Sequence, residues 1–96
     1  MSRQGSAGGT TSDTARRGLA RLMLKLPALR AGLQDAASQS RALDELFEAY
    51  EIAAVALETF RRGGDRVRTG EYEGLCTGIE DDVTQHILRT NSPKRK

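Results

Sequence analysis

The sequence has no tryptophan, two tyrosines, two phenylalanines and a single cysteine in 96 residues. So few aromatics leave a thin core, to be built from aliphatic side chains. One cysteine, Cys76, excludes an intramolecular disulfide and points to a reducing compartment rather than a cross-linked secreted scaffold. Long apolar runs are missing too. The longest, Ala53-Ala54-Val55-Ala56-Leu57, falls well short of the roughly 18 residues that span a bilayer, so no transmembrane helix is expected. The first residues lack the apolar stretch of a secretory signal, which makes a cytoplasmic location the expectation. A chain of this length makes at most one domain.

Charge is present in both signs but unevenly distributed. The net charge of +2 conceals three blocks. Residues 1–33 carry six bases (Arg3, Arg16, Arg17, Arg21, Lys25 and Arg30) against Asp13 alone. Residues 34–88 carry twelve acids against five arginines, and residues 89–96 carry four bases and no acid. An acidic body is a poor surface for nucleic acid, so only the two ends could serve as one.

What is plentiful is helical periodicity. Residues 1–13 are rich in Gly, Ser and Thr, have little to bury and read as a disordered N-terminus. Residues 14–33 read as a basic amphipathic arm, with Leu19, Leu22, Leu26, Leu29 and Leu33 at alternating steps of three and four. Asp13 or Thr14 is the expected N-cap. Pro27 has no N–H and crowds the preceding turn, so a kink or a division into two helices is expected near Lys25–Leu26. Gly18 and Gly32 weaken the arm by up to about 1 kcal/mol each relative to Ala. Residues 34–40 are small and polar. They read as a loop, with Ser38 or Ser40 capping the next helix, or as the weak middle of a continuous one.

Residues 36–89 read as an antiparallel helical hairpin with helices at about 41–62 and 71–89. Leu43, Phe47, Tyr50 and Leu57 line the first helix, and Gly63-Gly64 ends it where a left-handed C-cap favours glycine. Residues 63–70 are the expected connection, with Thr69 capping the second helix. Ile79 and Val83 join Tyr72, Leu75, Cys76, His86 and Ile87 on its apolar face. Gly74 and Gly78 inside that helix either admit a close partner or soften it. Residues 90–96 read as a disordered basic tail. The fold class is therefore all-α. The expected core is Leu43, Phe47, Tyr50, Leu57, Ile79 and Val83. Two helices expose more apolar surface than one seam covers, so the arm, a second copy or another protein should complete the bundle. A coiled-coil-like homodimer forming a four-helix bundle is the commonest such solution.

Little in the sequence suggests catalysis. His86 is the lone histidine, with Asp82 one turn earlier, and it resembles an edge residue of the seam more than a metal ligand or a phosphoacceptor. The step of Glu-x-x-His used by di-iron bundles would need an acid at 83, where Val83 stands. Cys76 has no base one turn away to lower its pKa and reads as a structural thiol. No cofactor, no metal and no enzymatic activity are expected. Arg61, Arg62, Arg66 and Arg68 gather at the hairpin turn and form the candidate patch for an anion or an acidic partner. The basic arm could lie on a membrane, fill a partner's groove or serve as an organellar presequence, but the favoured reading is that its leucines pack on the hairpin, within the chain or between subunits, with its positive charge facing the acidic body. The favoured function is a small helical protein–protein interaction or regulatory module, self-associating as a dimer. The alternatives are a nucleic-acid-associated accessory protein using arm and tail, and a phosphocarrier acting through His86.

Overall fold

A computed structural model describes residues 12–39 and 41–91 of the protein. These residues form an all-α fold of four helices: α1 (Asp13–Lys25), α2 (Arg30–Gln39), α3 (Asp44–Gly63) and α4 (Arg66–Asn91). A short 3-10 turn, Pro27–Leu29, joins α1 to α2. Most of the segments read as a disordered N-terminus and tail lie outside the described residues. Their inner ends do not, since α1 begins at Asp13 and α4 runs to Asn91.

Pro27 divides the arm. Leu26, forced out of the α region by the ring that follows it, takes φ −123° and ψ 67°, and α1 ends one residue before it. The chain then resumes helix, and residues 34–39 belong to α2. They are therefore neither a loop nor the middle of a helix continuous with α3. Ser38 does not cap the next helix, because its hydroxyl donates to the Asp35 carbonyl oxygen at 3.1 Å. Ser40 lies outside the described residues.

The cap of α1 is Ser12 rather than Asp13 or Thr14. Its Oγ accepts from the Ala15 N–H at 3.0 Å and donates to Glu48 Oε2 at 2.6 Å, so one hydroxyl both starts α1 and ties it to α3.

At the other end of α3 the expected glycine stop is present. Gly64 takes φ +78°, and the Asp65 N–H donates to the Phe60 carbonyl oxygen at 3.0 Å. The connection is much shorter than residues 63–70. Asp65 Oδ1 accepts from the Arg68 N–H at 3.0 Å and starts α4 at Arg66. Thr69 is consequently inside the first turn, where its N–H donates to the Asp65 carbonyl oxygen, and does not serve as the cap. An Asp at the cap position outweighs the cost of about 1 kcal/mol for Gly70 inside a helix.

Helix α3 is central and packs against α1 and α4. Tyr50 pairs with Glu80 and Arg61 with Glu73, which makes α3 and α4 an antiparallel hairpin. Ser12 pairs with Glu48 and Arg21 with Glu58, so α1 runs in the same sense as α3. The core takes Leu22 from α1, Leu33 from α2, Leu43, Phe47, Tyr50 and Ala53 from α3 and its N-terminal turn, and Cys76, Ile79, Val83 and Ile87 from α4. Leu57 departs from expectation. It is only half-buried and packs on the rim of this cluster.

The arm thus supplies what the hairpin lacks. Its entry is permitted by one glycine. A Cβ on Gly18 would lie 1.8 Å from the Phe47 carbonyl oxygen, so α1 can seat on α3 only without a side chain there. Gly74 and Gly78 have no such role, since a Cβ at either would meet nothing within 4 Å.

Candidate interaction surfaces

The basic arm meets the acidic body at two places. Arg21 Nε donates to Glu51 Oε1 at 2.6 Å, and its Nη1 donates to Glu58 Oε2 at 3.1 Å. Glu51 is the one buried charged residue among those described, and the Arg21 guanidinium is its partner. The bond to Glu51, with Glu58 assisting, holds the guanidinium pKa above its ordinary value against the opposing effect of burial. This pairing lets a carboxylate lie under α1 without remaining an uncompensated charge.

One turn further on, Lys25 Nζ stands 3.4 Å from Glu80 Oε2 on α4. The same carboxylate oxygen accepts from the Tyr50 hydroxyl at 2.6 Å. Glu80 therefore joins all three packed helices, taking a proton donor from α3 and a cation from α1. Burial, and then the bond to Glu80, push the Tyr50 phenol well above its ordinary value. Arg21, Leu24, Lys25, Tyr50 and Ala54 line a shallow open groove over this junction.

Two of the four arginines of the hairpin turn are engaged within the chain. Arg61 is held by Glu73 at 2.9 Å. Arg68 stands 3.9 Å from Asp65 and places its guanidinium 5.5 Å from the centre of the Phe60 ring, which itself packs against Tyr72. Arg62 and Arg66 are exposed and make no hydrogen bond or ion pair among the described residues. Arg61 and Arg62 line a shallow surface pocket with Glu58.

His86 is half-buried on α4, and Asp82 is exposed. No hydrogen bond or ion pair joins them. Cys76 is buried in the core, where burial, with the nearby Glu80 charge adding to it, raises the thiol pKa. No cluster of three or more His, Cys, Asp or Glu residues with metal-binding geometry occurs among the described residues. No helix among them is long and apolar enough to cross a membrane.

The apolar surface that the sequence pattern leaves over at Ile52, Val55 and Leu88 is exposed, and Leu75, expected on the apolar face of the second helix, is exposed as well. Leu24 and Val67 also stand exposed. Ile52 and Val55 lie on the outer side of α3, the side taken neither by α1 nor by α4. They are adjacent on one helix face, being three residues apart. Their signal in the sequence was an apolar face on residues 41–62 wider than one partner helix covers.

No protein-family model matches the sequence, and neither the characterised proteins nor the solved structures include one with significant similarity to it.

Proposed function

We propose that this protein is a small helical protein–protein interaction or regulatory module that works as a homodimer. The observation that supports the reading is the exposed apolar pair Ile52 and Val55 on the outer face of α3. The hairpin no longer requires a second copy to complete its core, because α1 and α2 supply Leu22 and Leu33. Association therefore serves the outer face of a bundle that is already closed. A side chain such as Ile gains on the order of 1.5–3 kcal/mol on full burial, and a partner surface is what provides it here.

The reading favours a protein surface over nucleic acid. Of the arm's basic residues, Arg21 and Lys25 are engaged with Glu51, Glu58 and Glu80. A phosphate backbone would have to compete with carboxylates of the same chain for these two groups.

Light scattering coupled to size exclusion, on the full chain over a wide range of concentration, tests the proposal. The expected mass is that of two chains at the high end, falling towards one on dilution. A mass of one chain throughout would remove it.

A further inference from the structure

The outer face of α3 has an order to it beyond two exposed apolar side chains. Glu45, Glu48, Ile52, Val55, Thr59 and Arg62 follow one another at alternating steps of three and four, the spacing of a coiled-coil seam. Glu45, Ile52, Val55, Thr59 and Arg62 are exposed on the side of α3 turned away from α1 and α4, while Glu48 is half-buried at its edge, where the Ser12 hydroxyl at the start of α1 donates to it at 2.6 Å. Ile52 is 63% exposed and Val55 45%. Neither Glu45 nor Arg62 makes a hydrogen bond or ion pair among the described residues. The seam is therefore acidic at the helix N-terminus, apolar in the middle and basic at the C-terminus. Ala49 and Ala56 sit beside it and present little bulk.

We infer that this face is a two-fold interface between copies of the chain, with the two α3 helices antiparallel and fully overlapped. The charges select the orientation. A parallel pair would set Glu45 against Glu45 and Arg62 against Arg62. Antiparallel packing sets Glu45 of each copy against Arg62 of the other, and it also opposes the two helix dipoles. The register follows from the same residues. Helix α3 spans Asp44–Gly63, so its midpoint falls between Ala53 and Ala54. A two-fold axis through that midpoint places Glu45 opposite Arg62, Glu48 opposite Thr59 and Ile52 opposite Val55 of the second copy. The register that pairs the charges is thus also the one that covers both apolar side chains and overlaps the helices end to end. Each contact is made twice, as an isologous interface requires. This inference rests on the homodimer proposed above and supplies its surface and register.

Two sets of variants test it, on the full chain, by light scattering and sedimentation with helicity checked by circular dichroism. Ile52→Lys with Val55→Lys removes the centre of the seam at positions outside the core. The expected result is unchanged helicity and a dimer dissociation constant raised at least about 100-fold. Glu45→Arg alone puts two arginines at each end, and Arg62→Glu alone puts two acids there. Each should weaken the dimer by about tenfold at low salt, and the double exchange Glu45→Arg with Arg62→Glu should restore it. A dimer that survives Ile52→Lys with Val55→Lys would overturn this seam and leave self-association standing through another face. A dimer lost in that variant but not restored by the charge exchange would overturn the antiparallel register. A monomer at every concentration would overturn both this inference and the homodimer.

Discussion

Gly18 and Phe47 stand so close that a methyl group on the glycine would sit 1.8 Å from the phenylalanine's carbonyl oxygen. Two preferences compete at this position, and the contact decides between them. Ala is the better helix former by about 1 kcal/mol. The obstacle, however, is backbone inside α3 and not the end of a flexible side chain, so the two helices would have to separate. Gly18→Ala is expected to destabilise the fold by about 3 kcal/mol, at the upper end of overpacking costs. Gly74→Ala and Gly78→Ala, which meet nothing within 4 Å, should each stabilise it by about 1 kcal/mol. Urea unfolding of the three variants checks the opposite signs. A stabilised Gly18→Ala would mean that α1 does not seat on α3 as described.

Arg21 bonds Glu51 through Nε and Glu58 through Nη1, two donors held apart by one rigid plane. Arg21→Ala would leave the buried Glu51 carboxylate without its cation. A fully buried pair broken in this way costs 3–5 kcal/mol. Arg21 is about a third exposed, so solvent screening reduces the expected loss to about 1–2 kcal/mol. Arg21→Lys should recover less than half of that loss, since an ammonium has no fork with which to hold both acids. Full recovery in the lysine variant, measured by chemical denaturation, would show that charge alone suffices.

Tyr50 makes stability depend on alkaline pH. Burial and the bond to Glu80 raise its phenol above the ordinary value of 10.0 in the folded state. The folded chain then keeps a proton that the unfolded chain releases. The corresponding stability is fully present below pH 10 and declines as the pH rises above it. Wild-type protein should lose stability above pH 10 more steeply than Tyr50→Phe, which should itself cost about 1 kcal/mol at neutral pH for the lost hydrogen bond. Ultraviolet titration provides an independent reading. The phenolate absorbance of Tyr50 should appear only as the fold is lost, and identical titration curves in folded and denatured protein would contradict the buried pair.

Much of the fold is legible in the sequence because helices are set by interactions within a turn or two. The leucine spacing of the arm, the break at Pro27 and the left-handed stop at Gly64 all concern neighbours in the chain. So does most of the core, and Leu43, Phe47, Tyr50, Ile79 and Val83 are buried where periodicity places them. Two of the departures, the starts of α1 and α4, are local competitions decided by a single side chain. Asp65 captured the start of α4 from Thr69, and Ser12 captured that of α1 from Asp13 and Thr14.

The hairpin-turn arginines show the limit of reading charge along the chain. Arg61, Arg62, Arg66 and Arg68 are close in sequence, yet Glu73, Asp65 and the Phe60 ring engage two of them. Which acid reaches which base depends on how far α4 is advanced along α3, and no short segment carries that information.

The sequence by itself determined that this chain is all-α, where its proline and glycine break the helices, and that a basic arm precedes an acidic hairpin. Periodicity, capping and charge blocks act between residues near one another, and they survive in a linear reading. Only the tertiary structure decided that the arm lies on α3, that Gly18 is what admits it, that Arg21 neutralises a buried Glu51, and that the Ile52 and Val55 face is left outside. Each of these depends on the rotation and register of one helix against another. Contacts between residues roughly thirty positions apart fix that geometry, so it appears only once the helices are packed.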